Sequence, residues 1–131
     1  MARVLALTRD LLFGSRVQGA LSGAGYEVEL IADEPRLRER LQAASGQDDQ
    51  PDAAPEVLVV DLTDPELDGV AIVRTLAGEG ELDSTRTLAF YSHVDAAIRE
   101  HAEQAGFDQV VPRSRMAREA PELVARLLDA S

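Results

Sequence analysis

Asp61 ends an apolar run in the segment VLVVDLTDPELDG, residues 57–69, and a turn carrying Pro65, Asp68 and Gly69 follows it. A carboxylate at the end of a strand-like run is costly to bury unless a partner uses it. Residues able to do chemistry close three other apolar runs. Thr8, Arg9 and Asp10 end RVLALT, Ser92 and His93 end TLAFYS, and Arg113 and Ser114 follow QVVP. Such a set could surround one anionic centre with hydroxyls and guanidinium groups.

Several other chemistries are excluded. The chain has no cysteine, so it holds no disulfide, thiol nucleophile or thiolate metal site. The two histidines, His93 and His101, have no further ligands at metal spacing. Gly23 and Gly25 close a helix-like segment, whereas a dinucleotide loop needs its glycines between a strand and the helix after it. The GEG at residues 78–80 forms no phosphate loop either. No Ser-His-Asp arrangement is evident.

The positioning elements alternate. RVLALT reads as a strand, and Phe13, Val17, Ala20 and Leu21 lie at helical spacing after it. YEVELIAD is strand-like, and Asp33 then caps a helix with Pro35 in its first turn and Leu37, Leu41 and Ala44 on one face. Residues 45–56 have no periodicity and read as a long flexible loop. EVLVVDL is continuously apolar, as in a strand buried on both faces. Val70, Val73 and Leu76 mark a third helix, and TLAFYS is a fourth strand. Asp95 caps a helix bearing Ile98, Ala102 and Ala105, with Gly106 as its stop. QVV is a short fifth strand. The last helix carries Leu123, Val124, Leu127 and Leu128, with Pro121 in its first turn.

Five βα units with apolar central strands predict a parallel sheet between helical layers, with sites at the carboxyl ends of the strands. The 131 residues suit a single domain over 1–131, and 45% hydrophobic with 28% charged residues is an ordinary globular composition. A net charge of −11 argues against nucleic acid or anionic membrane as a partner. All thirteen basic residues are arginine. No segment has the length of a membrane span or the form of a signal peptide, so a cytoplasmic location is the expectation.

VLVVDLTDPELDG, with its βα order and strand-end spacing, resembles the phosphoacceptor segment of bacterial response-regulator receiver domains. The resemblance covers essentially the whole chain. It implies a flavodoxin-like (βα)5 three-layer sandwich with sheet order 2-1-3-4-5. Asp61 falls on the phosphoacceptor, Ser92 on the hydroxyl that contacts the phosphoryl group, and Arg113 where the family has a lysine. A one-residue gap in GFDQVVPRS would instead align Pro112 with the family's proline and Val111 with its lysine. Thr8 and Arg9 stand where the family has two metal-binding carboxylates. Ser114 replaces its cis-proline, and Val110 its aromatic switch residue.

Those departures set the expectations. Magnesium wants hard oxygen ligands, and a poor set with Arg9 close by predicts weak binding and no other cofactor. Arg9 is expected to pair with Asp61 in place of metal, with Arg113 as a second cation. The plainer alternative has Arg9 in solvent and Asp61 capping its own turn. The function expected is an atypical, pseudo-receiver-like signalling module that is not an enzyme. It would act through a histidine kinase or downstream effector, with a homodimer as an open alternative. A phosphorylatable receiver in a two-component phosphorelay is the second reading. A flavin-binding flavodoxin-like protein is the third, although LTRDLLFG lacks the hydroxyl-rich run that cradles a flavin phosphate. The chain ends after its last helix, so it is expected either to work through a partner or to belong to a longer protein.

Overall fold

Alternate residues of the central strands enter two separate apolar clusters, and this division builds the molecule. A computed structural model describes residues 3–45, 55–92 and 96–129, giving the backbone alone for 43–45. The strands are β1 (Arg3–Leu7), β2 (Glu27–Ile31), β3 (Val57–Asp61), β4 (Arg86–Tyr91) and β5 (Gln109–Pro112). The helices are α1 (Leu11–Gly23), α2 (Glu34–Ser45), α3 (Gly69–Gly78), α4 (Ala96–Gln104) and α5 (Arg113–Asp129). All pairings are parallel, in the order β2-β1-β3-β4-β5, as the resemblance implies.

Val57 and Val59 of β3 pack with Val4, Ala6, Leu88, Phe90 and Val111 against α1 and α5. Leu58 and Val60 pack with Leu5, Leu7, Ala89 and Tyr91 against α2, α3 and α4. Burial of every β3 side chain follows from helical cover on both faces. The alternation also orients the strand ends. Thr8 continues the parity of Val4 and Ala6, Asp61 that of Val57 and Val59, and Ser92 that of Leu88 and Phe90. All three belong to the side of the sheet that carries α1 and α5.

In α1 the buried set is Phe13, Gly14, Val17 and Leu21, whereas Ala20 is exposed. The buried arc includes Gly14, which turns it away from Ala20. The last helix begins earlier than its apolar pattern suggests, at Arg113 directly after β5. It breaks at Glu119, where φ is −127° and ψ is 22°, and Pro121 lies in the first turn beyond the break. Most of the loop expected at 45–56, together with Asp95 and His93, lies outside the described residues. No helix among those described is long and apolar enough to cross a membrane.

One contact fixes the path out of β3. Asp68 caps α3 from the left-handed region, with φ at 48°, and Gly69 follows it. A Cβ on Gly69 would lie 2.5 Å from Val60 Cγ1 and 2.9 Å from Leu62 Cδ2. Glycine is therefore required by closeness of approach, since α3 starts against the strand it has just left.

Candidate functional site

Asp61 is 2% exposed, and its carboxylate is held by groups of the chain itself. Thr8 Oγ1 donates to Oδ2 at 2.7 Å. Oδ1 accepts from the Thr63 backbone N–H at 2.7 Å and from Thr63 Oγ1 at 2.6 Å. The bond to the N–H two residues on is the usual aspartate turn. Thr8, itself buried, also accepts from the Asp10 N–H at 3.1 Å. Three neutral donors thus compensate a buried charge that would otherwise be expensive.

The expected Arg9–Asp61 pair is corrected by this geometry. Arg9 Nε donates to Asp64 Oδ2 at 2.7 Å, and Nη2 donates to Glu66 Oε2 at 2.9 Å. Strand alternation supplies the reason: if Thr8 points toward Asp61, the residue after it cannot. Arg9 instead spans the turn that follows β3 from outside, and bonding to Glu66 and Asp64 raises its pKa above the ordinary arginine value. The plainer alternative describes Asp61 better, because its own turn supplies two of the three donors. Thr63 has no part in the sequence reading, although Asp-x-Thr at a strand end is a pattern that could have revealed it.

Asp10 caps α1, accepting from the Phe13 N–H at 3.0 Å through Oδ1. Its Oδ2 accepts from Arg113 Nη2 at 3.1 Å. The Arg113 guanidinium carbon lies 4.4 Å from the centroid of the Phe13 ring, and that ring lies 4.9 Å from Phe90. Stacking and ion pairing fix Arg113 over the α1 side of the sheet. A groove of about 650 Å³ opens beside it, lined by Phe13, Arg16, Thr63, Ser92, Arg113 and Ser114 among others. Of the predicted residues, Ser92 and Arg113 share this groove, Thr8 and Asp61 bond to each other, and Arg9 stands apart. Ser114 lies in the first turn of α5.

The divalent cation implied by the resemblance needs several oxygen ligands free to coordinate. Here Thr8 and Thr63 direct hydroxyl hydrogens at the Asp61 oxygens, while Asp10 and Asp64 turn to arginines. Among the described residues no group of three acidic or histidine side chains is placed to hold a metal. This donor set does not fit magnesium.

No family model matches the chain, and no curated protein matches its sequence. Solved structures do. The receiver domain of the Francisella response regulator 1452 is 16% identical, with a TM-score of 0.76, over 99% of this chain and 98% of its own. A response regulator receiver protein from Burkholderia phymatum is 19% identical with a TM-score of 0.79, over 98% of this chain and 96% of its own. The chemotaxis protein CheY4 of Vibrio cholerae is 22% identical with a TM-score of 0.75, over 97% and 98% respectively. At such identities the likeness is one of architecture, and it agrees with the strand order. The chain has the fold of the response-regulator receiver domains.

Proposed function

We propose that this protein is a receiver-fold signalling module that works through protein–protein contacts, in a single state that does not depend on magnesium or aspartyl phosphorylation. The observation that carries this reading is the occupation of Asp61 by Thr8 and Thr63. Phosphoryl transfer relies on positioned charge to neutralise the transferred group. The arginines that follow β1 and β5, Arg9 and Arg113, are committed to Asp64, Glu66 and Asp10. A signalling protein, either a histidine kinase or a downstream effector, would be the partner, and the chain would act in the cytoplasm without enzymatic activity.

The second reading, a phosphorylatable receiver with Asp61 as acceptor, draws on the groove that brings Ser92 and Arg113 together beside Thr63. Incubation with a small-molecule phosphodonor and Mg²⁺, followed by intact-mass measurement, separates the two. The module reading expects an unchanged mass. A phosphoryl adduct that disappears in Asp61→Asn would establish the second reading in its place.

A further inference from the structure

Asp61 and its donors occupy the carboxyl end of the sheet. A cavity of about 510 Å³ lies at the opposite end, where β4 and β5 begin, bounded by α3, the turn before β4 and the chain entering β5. Parallel sheets place their sites at the carboxyl ends of the strands, so the fold by itself does not call for a polar cavity here. Its volume falls within the roughly 300–1,000 Å³ of small-molecule sites.

Its lining divides by chemistry. Val73 and Ala77, one turn apart on α3, and Leu82 supply an apolar part. The polar part is fixed by the chain itself. Residues 82–85 form a turn closed by the Thr85 N–H on the Leu82 carbonyl at 3.1 Å, with Asp83 and Ser84 exposed at its corner. Thr85 Oγ1 donates to the Pro55 carbonyl at 2.9 Å, which ties this turn to the chain entering β3. Thr87 and Asp108 hold each other: the Thr87 N–H donates to Asp108 Oδ2 at 2.8 Å, and the Asp108 N–H donates to Thr87 Oγ1 at 3.0 Å. The cavity is therefore formed in advance of any ligand, which lowers the cost of binding one.

These bonds leave over two opposite charges. Arg86 lines the cavity half-buried, and its guanidinium makes no hydrogen bond or ion pair among the described residues. The Asp83 carboxylate accepts no bond there either, and Asp108 uses only Oδ2. An anion alone would meet Asp83 and Asp108, and a cation alone would meet Arg86; a zwitterion is opposed by neither. The planar fork of arginine suits a carboxylate, and an ammonium suits carboxylate oxygens with the Ser84 hydroxyl beside them. We infer that this cavity binds a free α-amino acid with an aliphatic side chain. Its carboxylate meets Arg86, its ammonium meets Asp83 and Asp108, and its side chain lies against Val73, Ala77 and Leu82. The site goes beyond the module reading and does not depend on the state of Asp61.

L-leucine and two analogues test it, 4-methylpentanoate without the ammonium and 3-methylbutylamine without the carboxylate. Titration of the intact protein, followed through backbone amide shifts in NMR, should show L-leucine bound at least ~10-fold more tightly than either analogue. The shifts should centre on residues 83–87 and 108. Arg86→Gln should lower the affinity for leucine to that for the amine, and Asp83→Asn should weaken leucine binding as well. Neither side chain bonds to the rest of the fold, and circular dichroism confirms that both variants are folded. Absence of leucine binding, shifts centred elsewhere, an analogue bound as tightly as leucine, or an affinity unaltered in Arg86→Gln would each overturn the inference. The mass measurement on Asp61 is independent of these results, so failure of this site and failure of the module reading are told apart.

Discussion

Thr8 on one side of the β1–β3 pair donates its hydroxyl to Asp61 on the other at 2.7 Å, so two strand ends are tied through a buried carboxylate. Removing the hydroxyl while keeping the shape leaves a charged oxygen without its donor. Thr8→Val is therefore expected to lose about 2 kcal/mol of stability, the scale of a hydrogen bond to a charged group. Urea denaturation would show a lower midpoint with an unchanged slope. Thr63→Val should lose less, because the backbone N–H of residue 63 still donates.

Replacing the donor with an acid reverses the interaction. Thr8→Asp places two carboxylates where one carboxylate and one hydroxyl now meet, and repulsion should lower the melting temperature by roughly 5 °C in the presence of a chelator. Magnesium should recover part of that loss in the variant while leaving the parent protein unmoved. An equal magnesium response in both proteins would contradict the account of the donor set.

Gly69 offers a test in which two effects disagree in sign. Helix propensity alone predicts that Gly69→Ala stabilises α3, by up to ~1 kcal/mol. The close approach to Val60 Cγ1 at 2.5 Å predicts the opposite, a loss on the order of 1–3 kcal/mol as the strand and helix are forced apart. Thermal or chemical unfolding of the single variant decides between them.

Arg9 is the contrasting case. Its pairs with Asp64 and Glu66 are at the surface, where ion pairs contribute little and salt screens them. Arg9→Ala should leave the unfolding midpoint essentially where it is. A substantial loss, comparable with that of Thr8→Val, would show that Arg9 supports the buried carboxylate after all.

The sequence carried the frame of this molecule because apolar periodicity reports burial directly. VLVV declares a strand covered on both faces, and the regular βα alternation leaves few ways to order the sheet. Asp61, Ser92 and Arg113 were legible as strand-end residues for the same reason. Arg9 was not, because nearness along the chain is a poor guide where side chains alternate: Thr8 takes the inward position and Arg9 must take the other. Thr63 escaped notice because its role depends on a local turn that folds it back onto Asp61. The early start of α5 was hidden too, since Arg113, Ser114 and Arg115 carry no apolar signal and Met116 alone announces burial there.

The three donors described around Asp61 are covalently part of the chain, which fixes their effective concentration. In the proposed single-state module, nothing dissolved in the surroundings has to arrive for this end of the sheet to assume its geometry. It is complete once the chain has folded, and it lasts until the chain unfolds.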